Sequence, residues 1–227
     1  MSWLRDFLEL IYPKNCGACN VPLLKGESVI CTQCMAELPF THYHKMNDNP
    51  VAQVFWGRIP IENATSLLYF HKKGRTQHLL HQLKYKGRQD IGIFLGQLLG
   101  NQLLNNEAYQ NIDAIVPIPL HPKRQKQRGY NQAECIAIGL SRSLNIPIEN
   151  QLIFRNTETK TQTKKSRTER WENVAQVFSL NTKNQQNGKH YLLVDDVITT
   201  GATIEACAQT LLTIPGTKIS VASLAKA

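Results

Sequence analysis

Residues 192–203 read LLVDDVITTGAT, an apolar run that ends in two aspartates and continues into a turn rich in threonine and glycine. Residues 190–197 have the pattern of a buried β-strand, and residues 199–214 have that of a turn followed by a helix. The first N–H groups of a helix lack partners within the helix, and with the helix dipole they favour a bound phosphate. The stretch therefore predicts a phosphate-binding loop at the carboxyl end of a strand.

The two aspartates narrow the expected ligand. Carboxylates only accept hydrogen bonds, so Asp195 and Asp196 are suited to ribose hydroxyls or Mg²⁺ rather than to a phosphate. The glycine patterns of the P-loop and of dinucleotide-binding folds are absent. The plainer alternative is an acidic strand end before a helix that Thr199 or Thr200 caps. We favour a phosphorylated ribose, because a cap alone does not explain two aspartates at a buried strand end.

Strand and helix patterns alternate on the amino-terminal side of this loop, and one more strand follows it. Strands are predicted at 65–70, 112–120, 177–180, 190–197 and 217–226, and helices at 76–87, 91–104, 129–145 and within 199–214. Alternation of this kind predicts an α/β fold, a mostly parallel sheet flanked by helices on both faces. In such sheets ligands bind beyond the carboxyl ends of the strands, which agrees with the position of the loop.

The composition fits a soluble protein with a packed core. The chain has 227 residues, 42% of them hydrophobic, and no apolar run near the ~18 residues that a membrane span needs. The apolar residues of 1–12 have the spacing of a short amphipathic helix. Arg5, Asp6 and Glu9 interrupt the continuous apolar run that a secretion signal would require. We therefore expect a cytoplasmic protein without membrane insertion.

Four of the six cysteines form two C-x2-C pairs, Cys16 with Cys19 and Cys31 with Cys34, separated by eleven residues. Two such knuckles supply four thiolates for tetrahedral zinc and leave no open position, so the predicted site is structural. Free thiols or a metal cluster are the alternatives. The pattern predicts an N-terminal unit at 1–60, with helix, zinc ribbon and a polar connector at 41–60, and a second domain at 61–227.

The net charge of +9 is concentrated in two segments. Residues 121–128 carry four positive charges and no negative ones, and residues 155–170 carry six positive and two negative. Local excess of this kind favours anion binding, although a solvated basic loop explains each lysine by itself. Residues 155–170 are polar with few apolar anchors, which is typical of a mobile lid and also of a plain surface loop.

Several motifs together resemble one known family. VDDVITTGAT at 194–203 resembles the phosphoribosyl pyrophosphate signature of type I phosphoribosyltransferases. PIPLHPKRQKQRGYNQ at 117–132, LKYKG at 83–87, the segment 170–178 and the double-cysteine ribbon resemble the ComF/GntX branch of that fold. The resemblance covers nearly the whole chain. It implies a type I phosphoribosyltransferase-like fold with a small N-terminal zinc ribbon.

The resemblance also implies a set of site residues. Phosphoribosyl pyrophosphate would contact Leu120, His121, Lys123, Arg124, Arg128, Asp195, Asp196, Thr199, Thr200, Gly201, Ala202 and Thr203. The implied catalytic residues are Asp195, Asp196, Arg124 and Arg167. Residues 120–124 correspond to a pyrophosphate loop, and the lid at 155–170 would contribute Arg155, Gln162, Arg167 and Arg170. The implied cofactors are structural zinc and Mg²⁺.

Two functions remain open at this stage. One is transfer of a 5-phosphoribosyl group to an unidentified acceptor, with pyrophosphate as the leaving group. A glutamine-dependent version would need free ammonia or a partner, because the first cysteine, Cys16, lies in a metal knuckle. The other is a catalytically silent protein that binds single-stranded DNA or a helicase-like ATPase of DNA uptake, since the family is linked to natural competence.

Overall fold

A computed structural model describes residues 13–156 and 177–227. The predicted helix at 1–12 lies outside these ranges, as do Gln162, Arg167 and Arg170 of the predicted lid. The helices are α1 Thr32–Ala36, α2 Pro50–Gln53, α3 Arg75–Tyr85, α4 Gln89–Leu103, α5 Pro122–Arg128, α6 Gln132–Leu144 and α7 Ala202–Leu211. The strands are β1 Ala64–Tyr69, β2 Ala114–Pro117, β3 Ile153–Arg155, β4 Phe178–Leu180, β5 His190–Ile198 and β6 Lys218–Lys226.

Four of these strands form the main sheet, in the order β1-β6-β5-β2. Every neighbouring pair in it is parallel, with Leu193 of β5 opposite Val116 of β2 and Val221 of β6. Strands β3 and β4 pair antiparallel in a separate ribbon. The predicted parallel sheet is confirmed, and β5, the strand that leads into TTGAT, lies inside it between β6 and β2.

Alternate residues of β5 face two different hydrophobic cores. Leu192 and Val194 pack with α3, α4 and α6 on one face, while Tyr191 and Leu193 pack with α7 and the β3–β4 ribbon on the other. A strand covered on both faces has no solvent-facing side, which is why residues 191–194 of β5 are all apolar rather than alternating. Strand β6 is buried along most of its length even though it contains Ser220 and Ser223. The prediction of helices on both faces is therefore confirmed.

The N-terminal segments are part of both cores. Cys16, Cys34 and Leu38 are buried against the α3–α4–α6 face, and Val51 and Phe55 are buried against the α7 face. The proposed division at residue 60 stays a prediction. None of the helices in the described ranges has the length and apolar character that a membrane crossing requires.

One segment differs from its prediction. Residues 120–124 were interpreted as a pyrophosphate loop, with a solvated basic loop as the alternative for 121–128, but residues 122–128 form helix α5. Pro122 occupies the first turn, where its missing N–H costs nothing, and the His121 ring accepts a hydrogen bond from the Lys123 N–H at 3.2 Å. The helix ends at Gly129, whose φ of 79° suits a C-cap. No residue of α5 is buried, so it lacks the apolar period by which helices are predicted.

Smaller differences concern element ends. Strand β2 stops at Pro117 rather than at 120, since Pro119 has no N–H to continue a ladder. Strand β3 is not among the predicted strands, and its last residue, Arg155, was assigned to the lid. Helix α7 is capped by Gly201, with φ 74°, and by neither Thr199 nor Thr200.

Candidate ligand-binding site

A cavity of about 120 Å³ opens at the carboxyl edge of the sheet, between the ends of β2 and β5 and the start of α6. Its lining residues are Lys84, Ile118, Pro119, Leu120, Arg124, Arg128, Asn131, Gln132, Ala133, Arg155, Asp195, Asp196 and Thr203. Most of the exposed lining is polar. The parallel topology accounts for this convergence, because it brings the carboxyl ends of β2 and β5 to the same edge.

The loop after β5 forms one margin of this cavity. Thr199 and Thr200 are exposed, Gly201 makes a left-handed turn, and Thr203 lines the cavity from the first turn of α7. A Cβ atom on Gly201 would lie 2.6 Å from Val54 Cγ1 and 2.8 Å from Phe55 Cε1. Only glycine fits this place. The loop therefore presents the amino end of α7 towards solvent beside the cavity.

The acidic pair lies on the floor of the cavity. The Asp196 N–H donates to Asp195 Oδ1 at 2.8 Å, and Lys84 Nζ lies 3.1 Å from Asp196 Oδ2. Desolvation and the nearby charge of Asp196 raise the pKa of Asp195 to about 7, against the lowering influence of Lys84 and Arg155. One carboxylate is thus neutralised by a lysine. Within residues 13–156 and 177–227 the other carboxylate, that of Asp195, forms no such ion pair.

Three arginines, Arg124, Arg128 and Arg155, also line the cavity. Arg128 donates from Nη1 to Gln132 Oε1 at 2.6 Å, and its guanidinium lies 5.2 Å from the centroid of the Tyr85 ring. Arg155 lies over the Phe178 ring at 5.5 Å. Burial and the charge of Arg124 lower the pKa of Arg155, although Asp195 acts in the opposite direction. Like charges held together in a partly desolvated place favour an anion between them.

The structure places the predicted contact residues in two groups. Leu120, Arg124, Arg128, Asp195, Asp196 and Thr203 line the cavity, whereas His121, Lys123, Thr199, Thr200, Gly201 and Ala202 do not. His121 caps α5, and Lys123 is exposed on that helix. Arg167 lies outside the described residues. The predicted residues that line the cavity thus come from β5, α5, α7 and the loop between β2 and α5.

Sequence reasoning missed the role of two cavity residues. Lys84 was placed in a family stretch without a function, because nothing local in the sequence pairs it with Asp196. Asn131 belongs to the family motif at 117–132, where the sequence suggests no more than a cap for the following helix. It does accept from the Ala133 N–H at 3.1 Å, but its Nδ2 also donates to the Ile118 carbonyl at 3.0 Å. The second bond ties the start of α6 to the end of β2, and it could be found only from the fold.

The four N-terminal cysteines form a second cluster. Their sulfur atoms all lie within 4.8 Å of one another, with Cys19 Sγ and Cys31 Sγ at 3.8 Å. Sulfur atoms about 2.3 Å from a tetrahedral zinc ion are separated by about 3.8 Å. Arg75 Nε lies 3.3 Å from Cys34 Sγ. The cluster therefore has the donor type and the spacing that zinc requires.

Hydrogen bonds from backbone N–H groups favour the thiolate form of Cys16. The N–H groups of Ala18 and Cys31 lie 3.4 and 3.2 Å from Cys16 Sγ. Burial raises the pKa of Cys16, but the backbone N–H groups outweigh burial and lower it to about 7. Burial raises the pKa of Cys34 to about 12. A bound cation is the kind of partner that would stabilise Cys34 as a thiolate.

The chain is an α/β protein with a cavity lined by charged residues at the carboxyl edge of a parallel sheet. The chain is 31% identical over 218 residues to the DNA utilization protein YhgH of Escherichia coli K12, covering 89% of this chain and 92% of that protein. It is 41% identical over 116 residues to competence protein F of Haemophilus influenzae, about half of each chain. The chain therefore belongs to the ComF family, the family of these proteins, as predicted. No family model matches it.

Solved structures give more distant similarities. Glutamine phosphoribosylpyrophosphate amidotransferase of Bacillus subtilis, complexed with ADP and GMP, is 21% identical with a TM-score of 0.44, covering 63% of this chain and 30% of that one. Purine phosphoribosyltransferase of Pyrococcus horikoshii is 22% identical with a TM-score of 0.40, covering 61% of this chain and 73% of the other.

Proposed function

We propose that this protein binds phosphoribosyl pyrophosphate with Mg²⁺ in the cavity between α5 and the carboxyl end of β5. The supporting observation is that Asp195 and Asp196, the arginines Arg124, Arg128 and Arg155, and Thr203 of α7 all line the same cavity. Such a site offers acceptors for hydroxyl groups and cations for phosphate groups. A ligand that carries both kinds of group, on a ribose, fits this arrangement.

Each part of the ligand has a corresponding part of the site. Asp195 and Asp196 would accept hydrogen bonds from the ribose hydroxyls, and the amino end of α7 would donate to the 5-phosphate. Arg124 and Arg128 would pair with the pyrophosphate. The carboxylate oxygens of the acidic pair are also the hard donors that Mg²⁺ prefers. When bound, Mg²⁺ would neutralise part of the diphosphate charge.

The reaction we propose is transfer of the 5-phosphoribosyl group to an unidentified acceptor. The bond between C1 and the pyrophosphate oxygen breaks, the bond between C1 and the acceptor forms, and the acceptor loses a proton. Negative charge develops on the leaving pyrophosphate, where the arginines would stabilise it. The protein contributes by orienting the ribose and by electrostatics rather than by a covalent nucleophile.

Calorimetric titration with phosphoribosyl pyrophosphate and Mg²⁺ tests this proposal. We expect saturable binding at one site per chain, competed by ribose 5-phosphate. No binding by the wild-type protein would overturn the proposal.

A substitution on α5 tests the pyrophosphate assignment. Arg124→Ala is expected to weaken pyrophosphate binding about tenfold, because it removes a charge-assisted hydrogen bond, and to leave ribose 5-phosphate within about twofold. Lys126→Ala is the matched control, since Lys126 is exposed on the same helix and does not line the cavity. If Arg124→Ala and Lys126→Ala weaken pyrophosphate binding equally, helix α5 acts only through its overall charge.

For the cysteine cluster we propose structural zinc. The purified protein is expected to hold about one zinc ion per chain by elemental analysis. Cys19→Ser should reduce that content and lower the unfolding temperature by on the order of 10 °C, because zinc binding contributes directly to folding. Cys19 is exposed, so the substitution itself disturbs little packing. Cys135→Ala, a change in a cysteine outside the cluster, should keep the zinc. A stable wild-type protein that contains no zinc would contradict the proposal of a structural zinc site.

A second candidate function is binding of single-stranded DNA, with or without a partner ATPase. The names of the relatives point to DNA utilization and competence, and Lys123 and Lys126 of α5 are exposed outside the cavity. Binding of this kind would depend on salt, since it rests on phosphate contacts. An oligonucleotide affinity that falls with salt and is unchanged by Asp195→Asn would favour it.

A further inference from the structure

We propose that Arg58 is a positioning residue that holds the loop 199–203 in the orientation required for the 5-phosphate. This inference rests on the proposed function of that loop. Arg58 belongs to the polar connector, for which the sequence suggested no specific role. In the structure it reaches across to a loop far away in the sequence.

Arg58 contacts residues on both sides of the turn at Gly201. Its Nη1 donates to the carbonyl oxygen of Thr200 at 2.8 Å, and its Nη2 makes an ion pair with Glu205 of α7. Thr200 precedes the turn and Glu205 follows it. One planar guanidinium therefore connects both sides of the glycine, which a lysine ammonium could not reproduce with the same geometry.

The bond to Thr200 sets the direction of a peptide group. No cis peptide bond occurs in the described ranges, and in a trans peptide the C=O and N–H point in opposite directions. Because the Thr200 oxygen points to Arg58, the Gly201 N–H points away from Arg58. Reversal of this peptide would replace a donor with a carbonyl oxygen that repels phosphate. Arg58 opposes that reversal, since it would lose its acceptor.

Arg58 is itself held in place by a rigid segment. Its Nη1 also donates to the Val54 carbonyl at 2.9 Å. The segment begins at Asn49, a buried residue that accepts from the Val51 and Ala52 N–H groups and donates to the Ala64 carbonyl of β1 at 2.7 Å. Through this segment, Arg58 is therefore connected to strand β1 of the main sheet.

The contribution of Arg58 is expected in ligand binding more than in stability. Its side chain is 35% exposed, and ion pairs at such positions contribute little to the free energy of unfolding. The hydrophobic contact of Phe55 beneath the loop remains when Arg58 is removed. Removal of Arg58 allows the Thr200–Gly201 peptide to change its orientation. We expect this to affect only the affinity for a ligand bound at the loop 199–203.

The test is calorimetric titration of Arg58→Ala and Arg58→Lys with ribose 5-phosphate and, separately, with pyrophosphate. We expect both variants to bind ribose 5-phosphate about tenfold more weakly and pyrophosphate within about twofold of wild type. Arg142→Ala is the matched control, since Arg142 is exposed and lies about 15 Å along α6 from Gln132. Its two affinities should equal those of wild type.

The outcomes are separable. Unchanged binding of ribose 5-phosphate in Arg58→Ala, or an equal loss for both ligands, would overturn the role of Arg58. Failure of the wild-type protein to bind either ligand would instead overturn the proposed function. Thermal unfolding of the same samples confirms that a loss of affinity is not a loss of fold.

Discussion

Asp195→Asn is expected to weaken binding of phosphoribosyl pyrophosphate about a hundredfold, and adding Asp196→Asn is expected to abolish it. Ribose hydroxyls need acceptors, and an amide that presents its N–H₂ group offers none and leaves a buried donor unpaired. The affinity should be measured by titration calorimetry with Mg²⁺ at fixed salt. Wild-type affinity in the double variant would place the ribose elsewhere.

The same substitution should make the protein without ligand more stable above pH 7. The pKa of Asp195 is raised to about 7 in the folded protein, so folding favours its protonated form. Its contribution to stability is therefore complete below the unfolded pKa of about 4 and is lost as the pH rises through 7. We expect Asp195→Asn to gain on the order of 2 kcal/mol at pH 8, and close to nothing at pH 4, by urea unfolding.

Asp113→Asn supplies the control. Asp113 is exposed before the start of β2, at the opposite edge of the sheet, and pairs with Lys189 Nζ at 2.9 Å. Hydrogen bonds from the His190 N–H and from Lys189 lower its pKa, so its effect on stability has the opposite sign. We expect unchanged ligand binding and a small loss of stability at neutral pH. A stabilised Asp113→Asn would show that net charge, not the site, determines the result for Asp195.

Gly139→Ala is expected to have the largest effect on folding. A Cβ atom there would lie 2.1 Å from the Ile93 carbonyl oxygen and 2.7 Å from the Gln97 nitrogen, both backbone atoms of α4. Gly96 meets the Ile136 carbonyl of α6 in the same way, at 2.3 Å. The helices must separate to accommodate a methyl group, which costs more than the roughly 1 kcal/mol that alanine gains in helix propensity.

We expect a net loss of about 3 kcal/mol and an unfolding temperature lower by roughly 10 °C. Binding should weaken as well, because Gln132 at the start of α6 and Asn131, which caps that helix, both line the cavity. Asn101→Ala, at an exposed position of α4, is the control and should unfold at the wild-type midpoint or slightly above it. An unchanged midpoint for Gly139→Ala would mean that α4 and α6 do not pack this closely.

Elements with a strong local pattern were predictable. Strand β5 lies at 190–198 against a predicted 190–197, because burial on both faces makes the strand itself apolar. The cysteine cluster was also predictable. Each C-x2-C pair brings two sulfur atoms together in one local turn, and two such pairs supply the four ligands of a zinc site. Helix α5 was not, because it buries no side chain and so carries no period in its apolar residues.

Part of the candidate site was also predictable, because it too has a local pattern. Asp195, Asp196 and Thr203 follow one another along a single strand–turn–helix unit, so their association needs no knowledge of the rest of the fold. The partners of that unit come from other elements. Lys84 of α3 pairs with Asp196, and Arg58 of the connector binds Thr200.

The sequence by itself determined the class of the fold, the cysteine cluster and the two aspartates at a strand end before a turn rich in threonine and glycine. These depend on hydrophobic period and on residues that are neighbours in the chain. Only the tertiary structure decided which cation neutralises Asp196, which side chain orients the Thr200–Gly201 peptide, and how closely α4 and α6 pack. Those choices depend on distances between elements, and such distances follow from the packing of the whole core rather than from any local pattern.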